Sequence, residues 1–268
     1  MKKTDQEYKQ ELNQLMIEDG MAVATGPTNV VGDGGIAGTG GAGGEPGVIH
    51  NKIILGATWN TLKLAFLSAV IAAVIGIVIA YIAVRRSNNP LAILLDQIAF
   101  VPFLFPTIAF GAMYLTLFAV PVGPIPALYG TFTLLVLISV VSRLPYSVKT
   151  GITAVTQIGQ ELEEAAEVAG ASWWQRFRRI IMPLASSGIM SGMMVSFVGV
   201  MRELSLIILL ITPATRVLMT AGFGYAEEGF TQLTNALVLI VALLTIIGEL
   251  ILWKIGKGRM ARLREKQS

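Results

Sequence analysis

Five long apolar runs, separated by short polar segments, are the feature that most constrains the fold of this chain. They lie at about residues 58–84, 91–120, 127–147, 186–211 and 233–255. A helix of roughly 20 mostly apolar residues is long enough to cross the hydrocarbon core of a bilayer. Only 14% of the residues are charged, whereas soluble domains carry about 25%. We therefore predict an all-α, polytopic membrane protein, a helical bundle of five transmembrane helices.

The second apolar run is predicted to be kinked or broken. It contains Pro102, Pro106 and Gly111. A proline inside a helix removes a backbone hydrogen bond and clashes with the preceding turn. The prolines in the loop that follows are explained equally well as ordinary turn-forming residues.

Lysine and arginine residues are concentrated in alternate loops, at residues 85–86, 176–179 and 254–266. The opposite loops, near Gly123 and Gly222, are poor in positive charge. Because positively charged loops are retained on the cytoplasmic side, we expect the segment before the fourth run and the C-terminus to be cytoplasmic.

Composition divides the chain into three parts. Residues 1–50 are polar and glycine-rich, which predicts a disordered N-terminal segment. Residues 51–258 contain the apolar runs, and residues 259–268 form a basic cytoplasmic tail. Five spans with an internal C-terminus put the N-terminus outside, although residues 1–50 lack a secretory signal. This conflict suggests that a span is missing, either because the chain is the C-terminal part of a longer protein or because it is a variant with an unusual amino end.

A charged segment, residues 161–183 (ELEEAAEVAGASWWQRFRRIIMP), lies between the third and fourth runs. Its glutamate- and alanine-rich start favours a helix, and Gly170 is a natural C-terminal stop. Ser172 and Gln175 have the spacing of a capping box. Pro183 is expected to end the second helix. The pattern predicts a cytoplasmic helix–turn–helix.

Two interpretations of this segment fit its periodicity. In the first, it is an interfacial amphipathic loop with Trp173 and Trp174 at the lipid boundary. In the second, it is a docking surface for another subunit. The spacing of its residues favours the second interpretation.

The order Glu164-Ala165-Ala166, three residues, Gly170, nine residues, Ile180, one residue, Met182-Pro183 resembles the EAA signature of ABC-importer permeases. The one departure is Met182, where the signature has leucine. The resemblance extends over about residues 58–257 and includes TWNTLKLA at the start of the first run. It implies a coupling helix that contacts an ATP-binding cassette subunit through Glu164, Ala165, Ala166, Gly170, Trp173, Ile180 and Pro183.

The resemblance also implies the surroundings of the chain. Residues 51–258 would be the permease domain of an importer in the bacterial inner membrane. Its partners would be a dimer of cassette subunits, a second permease subunit or half, an extracytoplasmic binding protein and membrane lipid, with no nucleic acid. The chain would bind no cofactor or metal directly, because the partner subunit hydrolyses the ATP, and it would not be an enzyme.

The fourth run combines small residues with two charges. A spacing of i, i+4, i+8, i+11 and i+15 predicts one helical face that carries Gly188, Gly192, Ser196, Gly199 and Glu203. Small residues permit close helix packing. Arg202 and Glu203 are expected in the outer half of the membrane, where a charge faces protein or a watery path. Structural pairing and lining of the translocation pathway both remain open.

The substrate is predicted from a short pattern. Residues 202–206, RELSL, are similar to the ferric-iron branch of these permeases, and related branches carry thiamine, phosphonates or polyamines. Ferric iron is expected mainly because of this resemblance; an acidic residue also suits a cationic metal by charge, but one carboxylate does not make a site. An ion-driven secondary transporter is a rival that predicts further buried carboxylates and paired broken helices. An intramembrane enzyme is disfavoured by the single histidine and the absence of cysteine.

Overall fold

The computed structural model describes residues 51–121 and 126–265, with side chains described as far as residue 254. The predictions for residues 1–50, for the outer loop around Gly123 and for the side chains of the basic tail lie outside these described residues. Within the described part the chain is helical and contains no β-strand, which confirms the predicted all-α class.

The helices are numbered in the order in which they occur along the described part of the chain. They are α1 (Lys52–Arg85), α2 (Pro90–Phe100), α3 (Thr107–Phe118), α4 (Phe132–Thr156), α5 (Glu161–Val168), α6 (Trp173–Arg176), α7 (Met182–Leu184), α8 (Ser186–Met201), α9 (Leu218–Glu227) and α10 (Thr231–Glu265).

Three helices are individually long and apolar enough to cross a membrane: α1, α4 and the Thr231–Lys254 part of α10. Helix α4 continues to Thr156, well past the predicted end of the third run at Ser147. Polar side chains lower the hydropathy of this last part. Ser147 nevertheless lies inside the protein, with its hydroxyl 3.2 Å from that of Ser196. Helix α4 is therefore still packed against α8 at this point.

The second apolar run is broken, as predicted. Helix α2 and the 3₁₀ turn Val101–Leu104 are followed by α3, and the two parts are bent by 106°. Pro106 occupies the N-cap of α3, where its missing N–H has no consequence for the helix. Gly111 does not contribute to the break, since it lies within α3.

The fourth run differs from the prediction in two respects. Helices α6–α7 and α8 form a second broken pair, bent by 69°, and Pro183 lies inside α7 rather than at a helix end. A π-helical turn, Phe177–Ile181, precedes this proline. Helix α8 then ends at Met201, so the expected continuous helix to residue 211 was wrong.

Helix α1 packs along α4 through residues that allow close approach. A Cβ built on Gly76 would lie 2.6 Å from the Cβ of Ser147, and one on Gly151 would lie 2.8 Å from the Cβ of Ala80. The first half of α4, which precedes this contact, contributes Leu134 and Ile138 to the core, and both are fully buried. Large apolar side chains on the outer face of α10, such as Leu239 at 64% exposure, are suited to lipid or to another subunit.

Candidate functional site

The charged segment folds as two short helices joined by a glycine turn. Helix α5 ends at Val168 with Ala169 as its C-cap. Gly170 follows with a φ of +82°, and the N–H of Ala171 donates to the carbonyl of Ala166 at 2.9 Å. This is the bond pattern of a Schellman motif. Ser172 then caps α6: its N–H donates to Gln175 at 2.8 Å, and its hydroxyl accepts from the Gln175 N–H at 3.4 Å. The predicted turn and capping box are both present.

A buried carboxylate fastens α5 to the end of α1. Glu163 is only 5% exposed. Its Oε1 accepts from Arg85 Nε at 2.6 Å, and its Oε2 accepts from the Tyr81 hydroxyl at 2.7 Å. Arg85 also donates from Nη2 to the carbonyl of Ile158 at 2.8 Å. The carboxylate is therefore satisfied within the protein and unavailable to a partner subunit.

Aromatic side chains hold the second half of the segment against the same helix. The ring of Tyr81 lies 5.4 Å from Phe177 and 6.0 Å from Trp173, both edge to face. Phe177 and Ile181 are 3% and 0% exposed. The side chains of Phe177 and Ile181 are therefore covered by protein, whereas Trp173 and Trp174, which the interfacial interpretation assigned to the lipid boundary, remain 42% and 57% exposed.

The predicted coupling residues lie mainly on the outer side of the segment. Glu164, Ala165, Gly170 and Trp173 are exposed, while Ala166, Ile180 and Pro183 are partly buried. Val168 is 91% exposed and Leu162 is 51% exposed. Glu164 accepts a hydrogen bond from the nearby Gln160 side chain, at 2.9 Å. A mixed apolar and acidic surface thus faces away from the helical bundle.

An ion pair joins α4 to the segment after α8. Arg143 Nη2 lies 2.5 Å from Glu203 Oε2 and also donates to the carbonyl of Gly199 at 3.1 Å. The other carboxylate oxygen of Glu203 accepts from the N–H of Leu206 at 3.2 Å. The side chains of Arg143 and Glu203 are 14% and 13% exposed, so the charge of Glu203 is neutralised inside the protein.

Glu203 does not share a helical face with the small residues, which corrects the sequence prediction. Helix α8 ends before it, and Arg202 is the C-cap residue. Arg202 is exposed. The side chain of Glu203 instead turns back to Arg143, which lies near the middle of α4.

The small residues of α8 lie against α4. A Cβ on Gly188 would clash with the Cβ of Ala154, and one on Gly192 would clash with Thr150 Oγ1. Ser196 is completely buried. A Cβ on Gly199 would lie 2.6 Å from the Arg143 guanidinium, so this glycine leaves room for the ion pair.

Sequence reasoning missed four functional candidates: Tyr81, Arg85, Arg143 and Glu163. Tyr81 and Arg85 are four residues apart and therefore share one face of α1, a signal that was available in the sequence. Nothing in the sequence distinguishes the inward Glu163 from the outward Glu164, because α5 has only eight residues. Within the described residues there is no group of three or more metal-ligating side chains.

The fold is that of a polytopic α-helical membrane protein. Its broken apolar helices surround an ion pair, and a charged helix–turn–helix is attached to the first helix. The spacing of the signature residues in the charged segment, from Glu164 to Pro183, indicates the family of this membrane protein. The chain belongs to the family described as binding-protein-dependent transport system inner membrane component, whose model matches residues 53–256. This match confirms the resemblance to ABC-importer permeases.

Two curated relatives illustrate the range of the family. The chain is 30% identical over 173 residues to the sulfate transport system permease protein CysT of Escherichia coli (strain K12), which covers 60% of each chain. It is 27% identical over 212 residues to the ferric transport system permease protein FbpB of Actinobacillus pleuropneumoniae, which covers 78% of this chain and 30% of that one. The chain thus spans less than two thirds of these relatives.

Two solved structures share the fold. A bacterial ABC transporter involved in alginate import matches with a TM-score of 0.67 at 16% identity, over 78% of this chain and 81% of that one. The inward-facing MetNI methionine ABC transporter matches with a TM-score of 0.64 at 18% identity, over 77% and 96% of the two chains. At such low identity these matches establish the fold alone.

Proposed function

We propose that this chain is the permease subunit of an ATP-binding-cassette importer and that residues 161–183 contact the cassette subunit. The observation that carries the proposal is the two-sided nature of α5. One side is fastened to α1 through Glu163, while Val168 and Leu162 are exposed on the other side. Exposed apolar residues on a short charged helix are typical of a contact surface. Membership of the family supports a transport role.

The proposed assembly contains a dimer of cassette subunits, a second permease subunit or half, and an extracytoplasmic binding protein. One matched structure holds an alginate ABC transporter in complex with a periplasmic protein, and the methionine ABC transporter shares the fold. The distribution of lysine and arginine supports a cytoplasmic location for residues 161–183 and the C-terminus. ATP would be used by the cassette subunits.

Ferric iron remains the proposed substrate on the similarity of residues 202–206 alone. The charge argument for a cation no longer supports it, because Arg143 neutralises Glu203. Related permeases are named for the transport of several substrates: sulfate, ferric, trehalose and molybdenum. The binding protein is expected to set the selectivity, so its ligand identifies the substrate.

An ion-driven secondary transporter is favoured by one observation, the two broken spans. Such a transporter also needs carboxylates that are free to bind the coupling ion. The carboxylates of Glu163, which is buried, and of Glu203, which is partly buried, are both paired with arginine, whereas one buried oxygen of Asp96 has no hydrogen-bond partner among the described residues. Uptake that survives removal of ATP but collapses with the ion gradient would establish this rival and exclude the importer.

The cassette contact is tested with Gly170→Asp in the complete importer. Gly170 has a positive φ and open space around it. Aspartate, like asparagine, visits the left-handed region, so the main effect of the substitution is a negative charge added to the outer surface of the segment. We expect the variant to insert into the membrane normally but to lose cassette binding and uptake. Gly229→Asp is the matched control, since Gly229 has a φ of +83° and equally open surroundings in a different loop. Normal cassette binding by Gly170→Asp would overturn the contact.

A further inference from the structure

Glu163 is the buried residue of α5, although glutamate is among the side chains least often buried. We infer that Glu163 is a positioning residue that ties the charged segment to α1, so that α1 moves together with the segment. This inference rests on the proposed function, because it concerns how a displacement by the cassette subunit reaches the spans.

The contacts of Glu163 are directional. Both of its oxygens are used, one by Arg85 and one by Tyr81. Arg85 in turn reaches the carbonyl of Ile158, which follows the end of α4. Charge-assisted hydrogen bonds fix orientation more strictly than apolar contacts. Three elements, α1, the end of α4 and α5, are therefore held at one point in a defined geometry.

Tyr81 extends this attachment to the other half of the segment. Its hydroxyl donates to Glu163 while its ring packs against Trp173 and Phe177. One residue of α1 therefore contacts both helices that flank the turn at Gly170. A displacement of either half acts on the same point of α1.

The attachment continues into the body of the protein. Helix α1 is locked against α4 by the close contacts of Gly76 and Gly151. The direct chain connection from the segment runs instead to α8, and it bends by 69° between Leu184 and Ser186. The segment, α1 and α4 thus form one mechanical unit, and α8 joins it through the close contacts of Gly188 and Gly192 with α4 rather than through a straight helical connection.

Attachment is tested first on the full chain alone, reconstituted in lipid nanodiscs. Arg178 and Arg179 are exposed tryptic sites within the segment. We expect Glu163→Gln to raise the rate of cleavage there by about 10-fold, because a hydrogen bond to a charged group contributes roughly that factor to the closed state. Tyr81→Phe, which keeps the ring and removes only the hydroxyl, should raise it severalfold. The control is Glu161→Gln, an exposed residue of the same helix.

Transmission is tested on the complete importer in proteoliposomes, with uptake and ATP hydrolysis measured together. If Glu163 only stabilises the fold, both rates fall in proportion. If it positions the segment, the number of substrate molecules imported per ATP falls severalfold in Tyr81→Phe, while cassette binding and ATP hydrolysis persist.

Unchanged cleavage in Glu163→Gln and Tyr81→Phe, or an unchanged ratio of uptake to hydrolysis, would overturn the inference. The cleavage assay contains no cassette subunit. Its result therefore stands even if the segment proves to contact a different partner, which keeps the failure of the proposed function distinguishable from the failure of the attachment.

Discussion

Arg143 and Glu203 form an ion pair with an Nη2–Oε2 distance of 2.5 Å across sixty residues of sequence. Arg143 lies near the middle of α4, and Glu203 lies just after the end of α8. The pair therefore fixes the non-helical segment after α8 to a neighbouring span. Irregular backbone at membrane depth is tolerated only where it is buried in protein or lines a water-filled cavity, and Leu206, Ile207 and Leu210 of this segment are buried.

Removing one member of this pair is expected to destabilise the protein. In Glu203→Gln the Arg143 guanidinium loses its counter-charge, and breaking a buried pair costs about 3–5 kcal/mol. We expect a cost at or below this range, since both side chains are partly exposed to solvent. Thermal unfolding of the purified chain in detergent measures the loss.

The matched double variant is Arg143→Met combined with Glu203→Gln. It removes both charges, while the amide oxygen of the introduced glutamine can still accept from the Leu206 N–H. Stability should recover most of what the single variant loses, because no unpaired charge remains. Arg202→Gln, at an exposed position, should change stability by less than about 0.5 kcal/mol. A single variant as stable as the native chain would contradict the buried pair.

Gly111→Ala is expected to disrupt the contact between α3 and the segment after α8. A Cβ at this position would clash with the carbonyl oxygen of Leu206. Because the obstacle is backbone, it moves only with the segment, and we expect a cost of about 1–3 kcal/mol. Gly56→Ala is the control: it has open space around it and should be stabilising by up to about 1 kcal/mol. Equal unfolding temperatures for the two variants would argue against this packing.

Substitution of Gly170 by asparagine and by valine should affect cassette binding differently. At a φ of +82°, Gly170→Asn is tolerated because asparagine visits the left-handed region, whereas a β-branched residue pays at least about 1–2 kcal/mol there. We expect Gly170→Val to weaken cassette binding by roughly tenfold, since the strain either distorts the turn or shifts it to another conformation. Pull-down of the cassette subunit measures the difference. Equal binding by the two variants would show that the turn geometry is irrelevant to the contact.

The absence of cysteine from the native chain permits a direct test of which face of α8 meets water. Ser191 is exposed and Ser196 is completely buried. With a water-soluble thiol reagent, Ser191→Cys should react at least about tenfold faster than Ser196→Cys, since burial shields a thiol and disfavours its thiolate. Both should react alike after denaturation. Slow reaction at both positions in the native chain would assign the face with Ser191 to lipid or protein contact rather than to a pathway.

Local features of this protein were largely readable from sequence. The apolar runs predict the spans because a bilayer demands length and hydropathy, which are properties of a single segment. The break at Pro106, the stop at Gly170 and the Ser172 cap follow from the backbone chemistry of a few adjacent residues. Each of these signals is complete within one turn or one helix, so no knowledge of packing is needed to use it.

The ion pairs were decided only by tertiary structure. Whether Glu163 or Glu164 turns inward depends on the rotation of α5 against α1, and adjacent residues differ by about 100° around a helix. Likewise, Arg143 meets Glu203 because α8 ends early and α4 continues past its predicted end. Such pairings depend on where separate helices begin, end and cross. The sequence by itself determined which segments are helical and where the second apolar run breaks, while the tertiary structure decided the early end of α8, which charges neutralise each other and which remain exposed to a partner.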